Sequence, residues 1–276
     1  MHSKDTLMLD FEKAKEYFFN GLKQMEEERF EDAEYSFKKS LLIIPQREST
    51  LTNLSAVLLK LKKYDEVKHI CRKILSLNPE NPQAWLNLGS VDLELDQLEQ
   101  AIASYDKAIS IKPDYAEAWY NRGNVLIDLN QHAHALVSYD KAINIKPDYA
   151  EAWSNRGNTL KYLNQLYNSL SSYDKAINFK PNYAEAWSNR GNVLIELNQQ
   201  EQALVSYEKA ISIKPDYAEA WYNRGNLLKN LNQYQQSLAS YDKAISIKSE
   251  YAEAWSNRGN VLGAICQYEL ADISLR

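Results

Sequence analysis

Tryptophan recurs at Trp85, Trp119, Trp153, Trp187, Trp221 and Trp255, each 34 positions after the last, and from the second of these onward it stands in the near-identical phrase AEAW(Y/S)NRGN. A fixed period of this length means stacked supersecondary units, each unable to bury its apolar face alone and each leaning on its neighbours. The core then grows with copy number, so the usual relation between length and domain count does not apply. Function is to be sought on a repeated surface.

One unit, taken from Ala116 to Tyr149, shows what each copy encodes. Trp119, Val125, Leu126 and Leu129 are spaced for one side of a helix. Asn130-Gln131 follows as the break, because asparagine tolerates the left-handed conformation that ends helices; Asn164, Asn198 and Asn232 repeat it, and Asp96 stands there in the first well-matched copy. A second helix carries Ala135, Leu136, Tyr139, Ala142 and Ile143 on its inner side and is stopped by Pro147. The spacing predicts an antiparallel helix pair, with Gly123, Ala135 and Ala142 small enough for close approach.

These residues resemble the tetratricopeptide repeat family, whose Trp, Gly, Ala, aromatic, Ala and Pro signature falls on Trp119, Gly123, Ala135, Tyr139, Ala142 and Pro147. The resemblance implies an all-α fold, a right-handed superhelical solenoid of tandem antiparallel helix hairpins. It divides the chain into a leader at 1–13, two divergent units at 14–81, five well-matched units at 82–251 and a partial eighth at 252–276. The divergent units carry Tyr17 and Leu51 in place of tryptophan, as expected where one face of a terminal repeat meets water. The last unit turns to GAICQYELADISLR and lacks the closing proline, so a shortened final hairpin is expected.

On the first helix of each unit a polar stripe runs through Glu117, Asn121, Asn124 and Asp128, about one turn apart in succession. Asn87, Asn155, Asn189, Asn223 and Asn257 repeat Asn121, and Asn158, Asn192, Asn226 and Asn260 repeat Asn124. Simple solvation accepts Lys, Glu or Gln equally, and helix propensity favours them over asparagine, so the repetition asks for an amide in particular. Two uses are open. A carboxamide both donates and accepts, so it can pair with the backbone of a passing peptide without reading its side chains; or the amides bond one another and fix the stacking.

In the family that this chain resembles, first helices line a concave groove, which implies that the asparagines face it. Glu117, Glu151, Glu185 and Glu219 then make the groove acidic, with Lys161 and Lys229 opposing them, while Tyr120 and Tyr222 add aromatic surface. The expected partner is a neutral or basic protein or peptide segment. Chaperone tails are not expected, because glutamate and Tyr or Ser stand where a lysine clamp for an acidic tail belongs. The asparagine-lined repeats also resemble the substrate-recruiting arm of bacterial O-linked N-acetylglucosamine transferase-type proteins. A third possibility is a structural protein that self-associates through its terminal repeat.

Enzyme chemistry finds no footing. His132 and His134 are two apart on a helix and point to different sides, His2 and His69 are distant, and Cys71 and Cys266 form no metal-ligand cluster. No phosphate loop or nucleophile elbow is present, and no cofactor or metal is expected. A formal charge of −5 argues against nucleic acid, and no apolar stretch reaches membrane-spanning length, so a cytoplasmic protein is expected.

Overall fold

The computed structural model describes the backbone of residues 4–274 and the side chains of residues 8–266. The described residues form fifteen helices and no strand. The chain divides after Lys146 into two compact units.

The first unit holds α1 (Lys4–Glu26), α2 (Phe30–Ile43), α3 (Glu48–Lys60), α4 (Tyr64–Leu77), α5 (Pro82–Glu94), α6 (Leu98–Ile111), α7 (Ala116–Asp128) and α8 (His132–Ile145). The second holds α9 (Ala150–Tyr162), α10 (Leu166–Phe179), α11 (Ala184–Glu196), α12 (Gln200–Ile213), α13 (Ala218–Asn230), α14 (Tyr234–Ile247) and α15 (Ala252–Ser274). Within each unit consecutive helices pack as hairpins, and the first helix of one hairpin touches the first helix of the next, as α5 touches α7 and α9 touches α11. Each unit is thus a stretch of all-α solenoid.

The turn inside each hairpin is set by one left-handed residue. Glu28, Lys62, Asp96, Asn130, Asn164, Asn198 and Asn232 have φ between 55° and 58°. The following amide reaches back to close the helix end, Gln131 N–H to the Leu126 carbonyl at 2.7 Å and Gln199 N–H to Leu194 at 2.8 Å. Such a cap satisfies carbonyls that the helix leaves orphaned. The next position in this series is Cys266. There α15 continues without a turn, so the expected shortened hairpin is instead one helix over its described backbone. The expected leader is taken up from Lys4 onward by α1, and residues 1–3 lie outside the described residues.

Each hairpin closes by placing an aromatic ring over a glycine. Tyr139, Tyr173 and Tyr207 are buried, and an added Cβ on Gly123, Gly157 or Gly191 would lie 2.5–2.9 Å from a ring carbon. Ala135, Ala142, Ala176 and Ala210 are fully buried where the paired helices are nearest. The tryptophans do not sink into this core. Each is half-buried or exposed and spans a loop, its indole N–H donating to the carbonyl six residues earlier, as Trp119 does to Pro113 at 3.0 Å and Trp187 to Pro181 at 2.9 Å. This latch links the loop after one hairpin to the first helix of the next.

Candidate asparagine groove

The first helices present their polar stripe beside one another, and in the second unit α9, α11 and α13 enclose an open cleft of about 330 Å³. Four of the sequence-derived residues meet in it: Asn192, Asn223, Asn226 and Glu219. Lys161, Glu196 and Asn230 complete its polar wall, Ile195 and Leu227 its apolar floor, and the edge of Tyr207 reaches it from α12.

The amides there are not independent. The Tyr207 hydroxyl donates to Asn192 Oδ1 at 2.8 Å, and Asn223 Nδ2, one repeat on, donates to the same oxygen at 3.1 Å. The pattern recurs on either side. Asn158 Oδ1 accepts from the Tyr173 hydroxyl and, at 3.2 Å, from Asn189 Nδ2; Asn226 Oδ1 accepts from Tyr241 at 2.7 Å and from Asn257 Nδ2 at 3.0 Å. A carbonyl oxygen has two lone pairs, and here both are used. Burial pushes the Tyr241 phenol up to about 12, with the Ser237 hydroxyl pulling slightly the other way, and burial raises the Tyr173 and Tyr207 phenols as well. These hydroxyls stay protonated and able to donate.

The remaining expected site residues fall in several environments. Asn87 is 3% exposed; its Nδ2 donates to Ser55 Oγ at 2.7 Å and its Oδ1 accepts from Gln83, so it seals the α3–α5 contact and cannot meet a ligand. Asn121 lines a separate 350 Å³ cleft in the first unit, beside Lys60, Lys62 and Tyr64, whose hydroxyl donates to Glu94. Asn124 accepts from the Tyr139 hydroxyl at 2.8 Å. Asn155 is half-buried and Asn260 exposed. Tyr120 and Tyr222 are half-buried and pack on other rings, Tyr120 on Tyr139 and Tyr222 on Tyr241 and, at 4.9 Å, on Tyr251.

The glutamates divide in the same way. Glu151 pairs with Lys180 at 2.7 Å and Glu185 with Lys214 at 3.2 Å, lysines of the loops that close α10 and α12. Burial pulls the Glu185 carboxyl up, but its own backbone N–H and the Lys214 ammonium outweigh that and hold it below the ordinary range. Glu117 and Glu219 are exposed. Lys161 lies 3.1 Å from Glu196 across the cleft. The loop lysines were overlooked in the sequence because they lie 29 residues from their partners, almost one full repeat, and so belong to the next junction.

Two further networks hold the stack. Arg122 donates from Nε to Asp106 at 2.7 Å and from a terminal nitrogen to Ser138 at 2.9 Å, and Arg190 does the same to Asp174 and Ser206. Each arginine thus ties its helix to the second helices of its own and the preceding hairpin, and its plane lies over the repeat tryptophan, 5.9 Å from the Trp119 ring centre for Arg122. Among the described residues no cluster of His, Cys, Asp or Glu is arranged to hold a metal ion. No helix among them is long and apolar enough to cross a membrane.

Family models extend over most of the chain. The TPR repeat model matches residues 89–128, 123–163, 157–197 and 191–232, and two tetratricopeptide repeat models match 218–251 and 58–108. The chain belongs to the tetratricopeptide repeat family. No curated protein sequence matches it closely enough to lend it a more specific role. Among solved tetratricopeptide structures, YrrB, described as a TPR protein with an unusual peptide-binding site, is 25% identical, with a TM-score of 0.58 over 68% of this chain and 97% of its own. MamA is 22% identical with a TM-score of 0.56, covering 60% of this chain and 97% of its own. A tetratricopeptide repeat protein from Parabacteroides merdae reaches 0.61 at 19% identity, covering 91% of this chain and 99% of its own. Tetratricopeptide proteins act in general as protein-interaction scaffolds, and the fold is typically non-catalytic.

Proposed function

We propose that this protein is a non-catalytic scaffold that holds extended, neutral or basic polypeptide segments in its asparagine-lined groove. The observation that carries the reading is the state of the amides in the second unit's cleft. Asn192 and Asn226 have their oxygens occupied and their Nδ2 groups uncommitted, whereas Asn223 has its nitrogen occupied and its oxygen uncommitted. Donors and acceptors therefore stand side by side on one wall, which is the complement of a peptide backbone and of no particular side chain. First helices about 8–10 Å apart meet an extended chain rising about 3.3 Å per residue at roughly every third residue. The exposed Glu219 beside them favours a cationic side chain over an anionic one. YrrB, a relative in fold with a peptide-binding site of its own, is consistent with the reading.

The test is replacement of Asn155, Asn189 and Asn223 together by alanine, with binding read on arrays of polar, neutral-to-basic peptides. Loss of a net hydrogen bond at each rung weakens binding by about tenfold or more in sum. Unchanged affinity in a folded variant would refute the groove. A substrate-recruiting arm of a glycosyltransferase would use the same wall, so the test applies whether the bound segment is a passenger or a substrate. Self-association through α15 has Trp255, 51% exposed, and Leu262 to draw on, and a mass in light scattering that rises with concentration decides it.

A further inference from the structure

We propose that the buried tyrosines Tyr173, Tyr207 and Tyr241 are positioning residues of the groove: each hydroxyl turns an asparagine carbonyl inward, so that every rung meets an extended polypeptide with one N–H donor and one C=O acceptor of preset polarity. The inference rests on the groove reading above and assigns a role to residues on the second helices, of which Tyr207 reaches the cleft only by its edge.

The relay follows from simple counting. An ionisable phenol held protonated by burial has a hydrogen to give, and its acceptor in each rung is the asparagine of the facing first helix. The neighbouring repeat sends an amide N–H to the same oxygen. Flipping that asparagine would put its NH2 against a second NH2 and forfeit that bond, and the buried phenol, although its oxygen could accept the amide, would lose the acceptor for its own hydrogen, so the flip is disfavoured. What faces the cleft is then fixed: Nδ2 of Asn192 and Asn226, and Oδ1 of Asn223. An amide held in advance does not have to surrender rotational freedom when a ligand arrives, which is how a preorganised site gains affinity.

The chain carries an independent sign of the same pairing. Where the second-helix position holds Phe37 the first-helix position holds Leu22, and where it holds Cys71 the partner is Ala56. The hydroxyl enters at Tyr105 together with an acceptor, Ser90 Oγ at 3.3 Å, and from Tyr139 to Tyr241 every tyrosine faces an asparagine. Packing against the repeat glycine asks for an aromatic ring and is met by phenylalanine in the first hairpin. The hydroxyl therefore serves the asparagine and not the packing.

Two isosteric variants test the polarity without any ligand. Asn192→Asp keeps an acceptor for both Tyr207 and Asn223, so its melting midpoint stays near that of the parent; Asn223→Asp turns a carboxylate on Asn192 Oδ1, and its midpoint falls by about 2–4 °C or more. Both add one negative charge to the same cleft, so the general electrostatic cost cancels in the comparison. Equal losses, or a milder effect at 223, would overturn the relay. The positioning role is read by fluorescence anisotropy with a labelled probe of about 12 residues of Ala, Ser, Thr and Lys, long enough to span several rungs. The triple variant Tyr173→Phe, Tyr207→Phe, Tyr241→Phe keeps the rings over their glycines and is expected to bind it about 3–10-fold more weakly, the loss of a hydrogen bond's worth of orientation. A lower midpoint with unchanged affinity would reduce the hydroxyls to structural bonds and overturn the proposal. A parent protein that does not bind the probe would overturn the groove reading and the positioning role together, while the Asp pair still reports on the relay by itself.

Discussion

The glycines of the first helices allow one substitution to be predicted with opposite signs at equivalent positions of the same repeat. Alanine exceeds glycine in helix propensity by about 0.8–1.0 kcal/mol, so Gly→Ala inside an exposed helix stabilises. At Gly259 an added Cβ meets nothing within 4 Å among the described residues, and the full gain of about 1 kcal/mol is expected. At Gly191 the same Cβ would sit 2.5 Å from Tyr207 Cε1, 2.8 Å from Cδ1 and 2.9 Å from Cζ. These atoms belong to a ring that is 2% exposed and bonded through its hydroxyl to Asn192, so it cannot swing aside as a surface side chain would.

Forcing the ring back costs about 1–3 kcal/mol of overpacking, and straining its hydroxyl bond adds about 1 kcal/mol. Set against the propensity gain, Gly191→Ala should be destabilising by about 1–3 kcal/mol, and should differ from Gly259→Ala by about 2–4 kcal/mol. Urea titration followed by helical circular dichroism measures both. Because a stack of repeats need not unfold in one step, the midpoint and the slope are to be compared together. If Gly191→Ala matched Gly259→Ala in sign, the ring-on-glycine contact would not be what closes the hairpins.

The left-handed turn residues make a second test. Lys62 adopts φ 55° with none of asparagine's local hydrogen bonding, so Lys62→Asn is expected to raise the urea midpoint by about 0.5–1 kcal/mol equivalent, and Asn198→Ala to lower it by about 1 kcal/mol. A third concerns alkaline pH. Burial raises the phenols of Tyr105 and Tyr241 to about 12, above the unfolded value near 10, so the neutral form belongs to the fold. Their contribution is complete below pH about 10 and is lost as the pH rises toward 12, each tyrosine that withholds its proton adding about 1.4 kcal/mol per pH unit to the slope. Circular dichroism and tyrosinate absorbance should therefore change together; ionisation of every tyrosine ahead of helix loss would contradict the burial. A fourth is Trp187→Phe, which removes the indole bond to the Pro181 carbonyl and should cost about 0.5–1.5 kcal/mol with helix content unchanged before the transition.

The architecture was readable from the period because the repeats from α7 to α14 each carry their own instructions: a glycine facing an aromatic 16 residues later, and an asparagine at the turn. Both features are local, and local rules survive transfer from one copy to the next. At the end of the chain the pattern breaks, α15 running on through Cys266 at the position where the preceding hairpins turn. The site was harder, because its geometry joins residues from different copies. Asn87 carries the same letter as Asn223 and is buried against Ser55, since its neighbour repeat supplies a serine there in place of the packed glycine. Tryptophan misled in the opposite way: as the most apolar mark of the repeat it pointed inward, yet its indole N–H binds a loop carbonyl and keeps it at the surface.

In the proposed groove the two uses of the asparagines are compatible. Stacking and recognition need not compete for one amide, because a carboxamide has two ends. In the second unit the oxygen of one asparagine and the nitrogen of the next are spent on holding neighbouring hairpins together, and the opposite ends are what the cleft displays. The same bond that fixes the spacing of two repeats then fixes the direction of the groups between them. A substitution that loosens the stack at a rung must therefore also blur the polarity of that rung, and thermal stability and peptide affinity should fall in step across a series of asparagine variants, in contrast to the tyrosine hydroxyls, where affinity should fall further than stability.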